Sequence, residues 1–181
     1  ADFNLEHGTR IILSRLKKNI ERTESFLRSR LARRFSLFKE DFEIKLNDKP
    51  VLRCDAGFYD DVQFLWCFDE ATKAELADLV TNIATLPSAA DPKVQEPCIR
   101  FLDGEIPTVG TVRGFIATVD LPKKLGTGDE SLNKISVFSN KRVFQEDIFP
   151  ELGDARYFNS YIIGEIHADF LDDDDTDRAT T

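Results

Sequence analysis

The 181-residue chain contains no methionine, and its three cysteines (Cys54, Cys67 and Cys98) are odd in number and lack C-x-x-C spacing. The missing methionine, absent even at the first position, implies a fragment of a longer protein. The cysteine pattern argues against a disulfide framework and against a zinc site. With no apolar leader, it reads as a cytoplasmic chain with free thiols. No run approaches the roughly 18 apolar residues that a bilayer crossing needs, so a membrane partner is not expected. Positive charge is also short: 33 acidic against 24 basic residues leave a net charge of −9. That balance disfavours a whole-chain nucleic-acid coat, which requires a basic surface. Internal repeats are absent.

What charge there is lies unevenly. Residues 1–45 carry eleven Lys/Arg and seven Asp/Glu, a balance of +4, so the remainder carries −13. The basic front end could meet a phosphate or an acidic partner. More often such a stretch is a solvated helix face.

The pattern along the chain is mixed α and β. A Gly-Thr step before Ile11, Ile12 and Leu13 predicts a strand over 9–16. Asn19 can cap a helix to about Phe38, with Leu27, Leu31, Phe35 and Phe38 as its apolar stripe. "FEIKLNDKPV" (42–51) alternates and turns at Asn47-Asp48, which predicts a hairpin. "VQFLWCF" (62–68) reads as a buried strand. Thr72 and Glu75 form a T-x-x-E capping box, and Leu76, Leu79, Val80, Ile83 and Leu86 fit one helical face over about 72–86. Four prolines in 87–110 suggest a long surface connection. Strands follow at 111–121 and 133–139, then a turn at Asn140-Lys141, a short helix near 145–151 and a long strand over 157–171.

In this order "HGTRIILSRLKKN" resembles the last conserved segment of the ATP-binding domain of the GHKL superfamily, which includes gyrase, heat-shock-90 chaperones, histidine kinases and MutL. "NKISVFSNKRVFQEDIF" is similar to the MutL-type "FVNGR-V-x-D" hairpin, with Lys141 where the family often has Gly. The resemblance implies an α/β (α+β) fold in three parts. These are a terminal strand of an ATP-binding domain (1–19), a basic linker helix (20–40) and a ribosomal-protein-like βαβ transducer domain (41–181). It implies that Gly8 and Thr9 lie at an adenine pocket. Arg142, a guanidinium at a hairpin tip, is the basic residue best placed to meet a γ-phosphate, DNA or another subunit, and a structural salt bridge is the more ordinary alternative. The resemblance further implies ATP and Mg²⁺ in the parent protein, where the transducer couples ATP binding and hydrolysis to conformational change, and contact with an ATP-binding domain of the same chain. A homodimer and a DNA or protein partner are compatible with it. A nucleotide-independent interaction module of the same fold is the alternative.

The catalytic Glu, the metal-holding Asn, the Asp-x-Gly-x-Gly segment and the glycine-rich lid of that superfamily are all missing here. The fragment alone is therefore expected to be inactive, with no catalytic residue. "CDAGFYDD" (54–61) reads as a turn, and "PKKLGTGD" (122–129) as an inter-strand loop that lacks the P-loop pattern. Glu165, His167 and Asp169 share one strand face at i, i+2 and i+4, a spacing compatible with a metal or general-base cluster. More often such a row is the wet face of a strand. Asp172 to Asp175 with Asp177 lack the Gly and distal Glu of a calcium loop, and read as a repelling acidic loop.

Overall fold

The structure is a computed structural model that describes residues 8–15, 20–35, 43–126, 131–153 and 157–172. It is α+β, with a mixed six-stranded sheet and two helices. Helix α1 (Ile20–Arg34) leads into a hairpin of β1 (Lys45–Leu46) and β2 (Lys49–Pro50). Strand β3 (Val62–Cys67) and helix α2 (Glu70–Leu76) follow, then β4 (Thr85–Pro87), β5 (Gln95–Pro97) and β6 (Ile99–Phe101). Next come β7 (Glu105–Ile106), β8 (Gly110–Thr111) and β9 (Arg113–Val119). The last strands are β10 (Ile135–Ser139), β11 (Arg142–Gln145) and β12 (Ile162–His167). The main sheet has the order β11-β10-β12-β9-β3-β6. The β10/β12 and β3/β6 pairs are parallel, and the others are antiparallel. The β3–α2–β6 passage joins adjacent parallel strands, the connection that antiparallel hairpins cannot make.

Strand alternation assigns the two faces. Leu65, Cys67, Phe115, Ala117, Val119 and Ile163 are buried in one cluster with Ala56, Phe58 and Tyr59, Ala32 of α1 and Leu76 of α2. The segment from 51 to 61 thus covers this face as a pair of 3₁₀ turns, with Phe58 stacked 6.1 Å from Phe115. Truncating a side chain as enclosed as Leu76 or Phe115 typically costs 2–5 kcal/mol. Phe64, Trp66, Ile116 and Ile166 fall on the opposite face by alternation and are half-buried.

Both predicted turns form, and for the same reason. Asn47 and Asp48 have φ of 51° and 61°, and Asn140 and Lys141 have 47° and 66°. Two successive residues of positive φ are what a two-residue hairpin needs to match the strand twist. Lys141 occupies the second of these positions without a glycine.

Other expectations need correction. Residues 9–15 form no strand: Ile11, Ile12 and Leu13 are 79%, 76% and 59% exposed, so the apolar run is not buried as the inner face of a strand would be. Helix α1 stops at Arg34, and Phe35 instead bridges the edge strand at Arg142; Asn19 and Phe38 lie outside the described residues. The cap of α2 is Asp69, not Thr72. Its carboxylate accepts the Thr72 N–H at 2.8 Å and the Thr72 hydroxyl at 2.7 Å, as a short acidic cap does best. Burial alone would push the Asp69 carboxyl up, but the hydrogen bonds from Thr72 and Gly114 outweigh it and hold it below the ordinary carboxylate value.

Helix α2 ends at Leu76 because the chain is recruited by the sheet. Ala84 N–H donates to the Gln63 carbonyl at 2.9 Å, and the Ala84 carbonyl accepts from Cys98 at 2.7 Å. Leu79, Val80 and Ile83 still pack on the core, but from turns. The 87–110 stretch is not a plain connection. It holds β5 to β8, and Pro87 and Pro97 sit at strand ends, where a missing N–H does little harm. The short helix predicted near 145–151 is a 3₁₀ turn at Phe149–Leu152, and the final strand is confined to Ile162–His167.

Candidate functional site

Two clusters of charged side chains survive as candidates, one exposed and one buried. The exposed cluster begins on α1. Leu31 and Ala32 turn inward, which leaves Arg30, Arg33 and Arg34 around the rest of the helix. Arg28 is used structurally: its guanidinium donates to the Pro50 carbonyl at 2.6 Å and pairs with Asp55 at 3.4 Å. The bridge from Phe35 to Arg142 pins the end of α1 beside the sheet edge. There Arg30, Arg33 and Arg34 meet Lys134, Ser136 and Glu146 around a cavity of about 30 Å³.

Four cations therefore line the cavity with Glu146, and three of them, Lys134, Arg34 and Arg30, act on its carboxylate. Glu146 reaches Lys134 Nζ at 2.8 Å through one oxygen and Arg34 Nη2 at 3.3 Å through the other. The Lys134 hydrogen bond, with Arg34 and Arg30 nearby, holds the Glu146 carboxyl below the ordinary carboxylate value. The Ser136 hydroxyl fixes this corner by donating to the Glu146 carbonyl at 2.8 Å. Arg30 lies 4.8 Å over the Phe26 ring, and Arg33 Nε donates to the Ser29 carbonyl at 3.0 Å. Cations in the last turn of a helix are favoured by its dipole, which accounts for part of this clustering. It does not account for Lys134, which arrives from the sheet.

The buried cluster contains the expected Glu165, His167 and Asp169 row. The row is not uniformly a wet face: Asp169 is exposed and His167 half-buried, whereas Glu165 is enclosed. Glu165 is 8% exposed and pairs with Arg53 Nη2 at 2.8 Å, with 11% of each side chain accessible. Burial pushes His167 down to about 4, with Arg53 and Arg113 adding to the shift, and its ring stacks 5.0 Å from Phe138. A base that protonates only near that value is poorly matched to work at neutral pH. Asp169 leaves the strand for a 3₁₀ turn, where it pairs with Arg113 at 3.1 Å and accepts from Asn140 N–H at 2.9 Å. Beside Glu165, Tyr59 lies under Arg53 with ring and guanidinium 5.6 Å apart, and burial raises its hydroxyl well above the ordinary value. Among the described residues no group of three His, Cys, Asp or Glu is placed to hold a metal ion.

The remaining sequence candidates are scattered. Gly8 (φ 127°) and Thr9 are exposed in the irregular 8–15 segment, far in sequence from any strand pairing. Arg142 pairs with Asp172 at 3.0 Å, and Asn140 also donates to Asp172, at 3.2 Å. Of the acidic run only Asp172 is described, and it serves as this local counter-ion. In "PKKLGTGD" the described part is a 3₁₀ turn whose Lys124 bridges Asp61 and Asp120 at 3.2 and 2.9 Å. Sequence reasoning missed Lys134, Ser136 and Glu146. Lys134 and Ser136 alternate into β10, but nothing local reveals that α1 packs against them.

Among the described residues no helix is long and apolar enough to cross a membrane. No protein-family model matches the chain, and no solved structure matches it. A curated protein of Herpetosiphon aurantiacus, named "Putative type II restriction enzyme HgiDII", is 33% identical over 181 residues. That match covers 99% of this chain and 27% of the relative, so the chain spans about a quarter of the relative's length. The finding overturns the GHKL resemblance and the ATP-coupled transducer function drawn from it. The short Gly-Thr-aliphatic segment that carried the resemblance is an exposed stretch outside the described strands, whereas the restriction-enzyme similarity runs along nearly the whole chain. The ATP and Mg²⁺ expected in a parent protein, and an ATP-binding domain in the same chain, rested on that resemblance.

Proposed function

We propose that this chain is a DNA-contacting segment of a protein of the restriction-endonuclease type, and that it meets the duplex with the basic end of α1. The observation that carries the reading is the 33% identity along 99% of the chain to a protein bearing a restriction-enzyme name. The local chemistry supports it. Arg30, Arg33, Arg34 and Lys134 line one cavity beside the sheet, together with Glu146. Guanidinium groups suit phosphate oxygens, because their planar fork can bond two at once. A net charge of −9 over the chain makes the rest of the surface repel DNA, so contact is confined to this edge and its orientation is fixed.

The role assigned is positioning on the phosphate backbone, which carries no base specificity by itself. The βαβ architecture expected for the 41–181 region is retained as a proposal about shape alone; the β3–α2–β6 crossover supports it. The test is equilibrium binding of the purified chain to a short fluorescent duplex at several salt concentrations. Binding that weakens steadily with salt supports the reading. Its absence at low salt, or binding indifferent to salt, overturns it.

A further inference from the structure

We infer that the cavity between α1 and β10 is a seat for one phosphate group, which the Glu146 carboxylate fills until a phosphate displaces it. As a contact to the DNA backbone, the inference rests on the DNA reading above. Three observations carry it. Glu146 uses both oxygens, one on Lys134 at 2.8 Å and one on Arg34 at 3.3 Å, as two oxygens of a phosphate would. Its hold on Arg34 is weak, because 52% of the carboxylate-bearing side chain and 56% of Arg34 are in water, where ion pairs exchange freely with solvent ions; the Lys134 side chain is more sheltered, at 21% exposed. Arg30 lines the same cavity and, with Lys134 and Arg34, acts on the Glu146 carboxylate, so three cations face one carboxylate. An incoming phosphate therefore replaces one anion and neutralises more charge than Glu146 does.

The displaced carboxylate has room to leave. Glu146 stands after the last residue of β11, and the Ser136 hydroxyl holds its backbone carbonyl, so the side chain can swing away without moving the strand. Glu146 thereby acts as a built-in competitor. It keeps the cations gathered in one place and sets a threshold that weak anions do not pass.

The experiment compares wild type, Glu146→Gln and Glu146→Ala for binding to a short DNA duplex and to inorganic phosphate, with thermal melting as the folding control. Removing the competitor should raise duplex affinity about three- to tenfold, and adding Lys134→Ala should abolish that gain. A gain for the duplex larger than for inorganic phosphate identifies a backbone phosphate as the ligand. Equal gains identify a free phosphate, and the seat stands on that outcome even if the wild-type chain ignores DNA. If wild type binds DNA with the expected salt dependence but both Glu146 variants bind it no better, the seat is refuted and the DNA reading survives. If no variant binds either probe, both fail.

Discussion

Arg53 and Glu165 meet at 2.8 Å with 11% of each side chain exposed, whereas Arg34 and Glu146 meet at 3.3 Å with 56% and 52% exposed. The chemistry is the same, and burial separates the two roles. The first pair lies between the sheet and the 3₁₀ turns that cover it, roofed by Tyr59. Losing either charge there breaks an ion pair in a low-dielectric site. The second pair stands in water, so its partners are free to change. A pair of the first kind holds structure, and a pair of the second kind can hold a ligand.

The largest effect should come from breaking the buried pair. Glu165→Ala removes the carboxylate that Arg53 pairs with at 2.8 Å in a buried setting, at a cost of about 3–5 kcal/mol. Urea unfolding measures it. A double change, Arg53→Met with Glu165→Leu, should recover most of that loss, since well-packed apolar replacements of buried pairs are often neutral. A Glu165→Ala variant of native stability would mean that the pair is not a structural element.

A somewhat smaller effect lies in acid. His167 is held neutral, its value pushed down to about 4 from an ordinary 6.5. Between those limits the unfolded chain binds a proton that the folded chain refuses, so stability falls as pH drops through the window and is retained above it. The loss should reach about 2–3 kcal/mol at most, scaling with the shift. Stability curves for wild type and His167→Leu between pH 7 and pH 4 check this. The variant should lose the His167-dependent part of the slope, and parallel curves would remove His167 as the cause.

How much of this was legible in the sequence depended on how far apart the partners lie. The hairpin turns at Asn47-Asp48 and Asn140-Lys141 were legible, because a two-residue turn is a local device with local residue preferences. Strand β3 was legible from its apolar run. The boundaries of α2 were not, since Asp69 caps better than Thr72 and the sheet claims Ala84 through Gln63 and Cys98. Proline counting misjudged 87–110, because prolines at strand ends disturb little. The Glu165 row looked like a wet face because its partner, Arg53, stands 112 residues away. The basic character of α1 was plain from its arginines. That it gathers Lys134 and Glu146 from the sheet edge was not, because the contact depends on tertiary packing.

The smallest stability effect should belong to the exposed pair. Arg34→Ala is expected to change unfolding free energy by less than about 1 kcal/mol, as exposed ion pairs do. Urea unfolding beside the Glu165→Ala variant gives the contrast directly. A loss as large as that of Glu165→Ala would make Arg34 structural and erase the distinction drawn between the two pairs.

The central claim is that the exposed cluster meets DNA phosphates, and its most direct test is the slope of log affinity against log salt for duplex binding. Each phosphate neutralised contributes about −0.9 to that slope. One phosphate held among the cations of this cavity then predicts a wild-type slope of roughly −1. Arg30→Ala with Arg33→Ala should flatten it toward zero while leaving the melting temperature nearly unchanged. A slope near zero in wild type, or one that the double variant leaves untouched, would contradict the account.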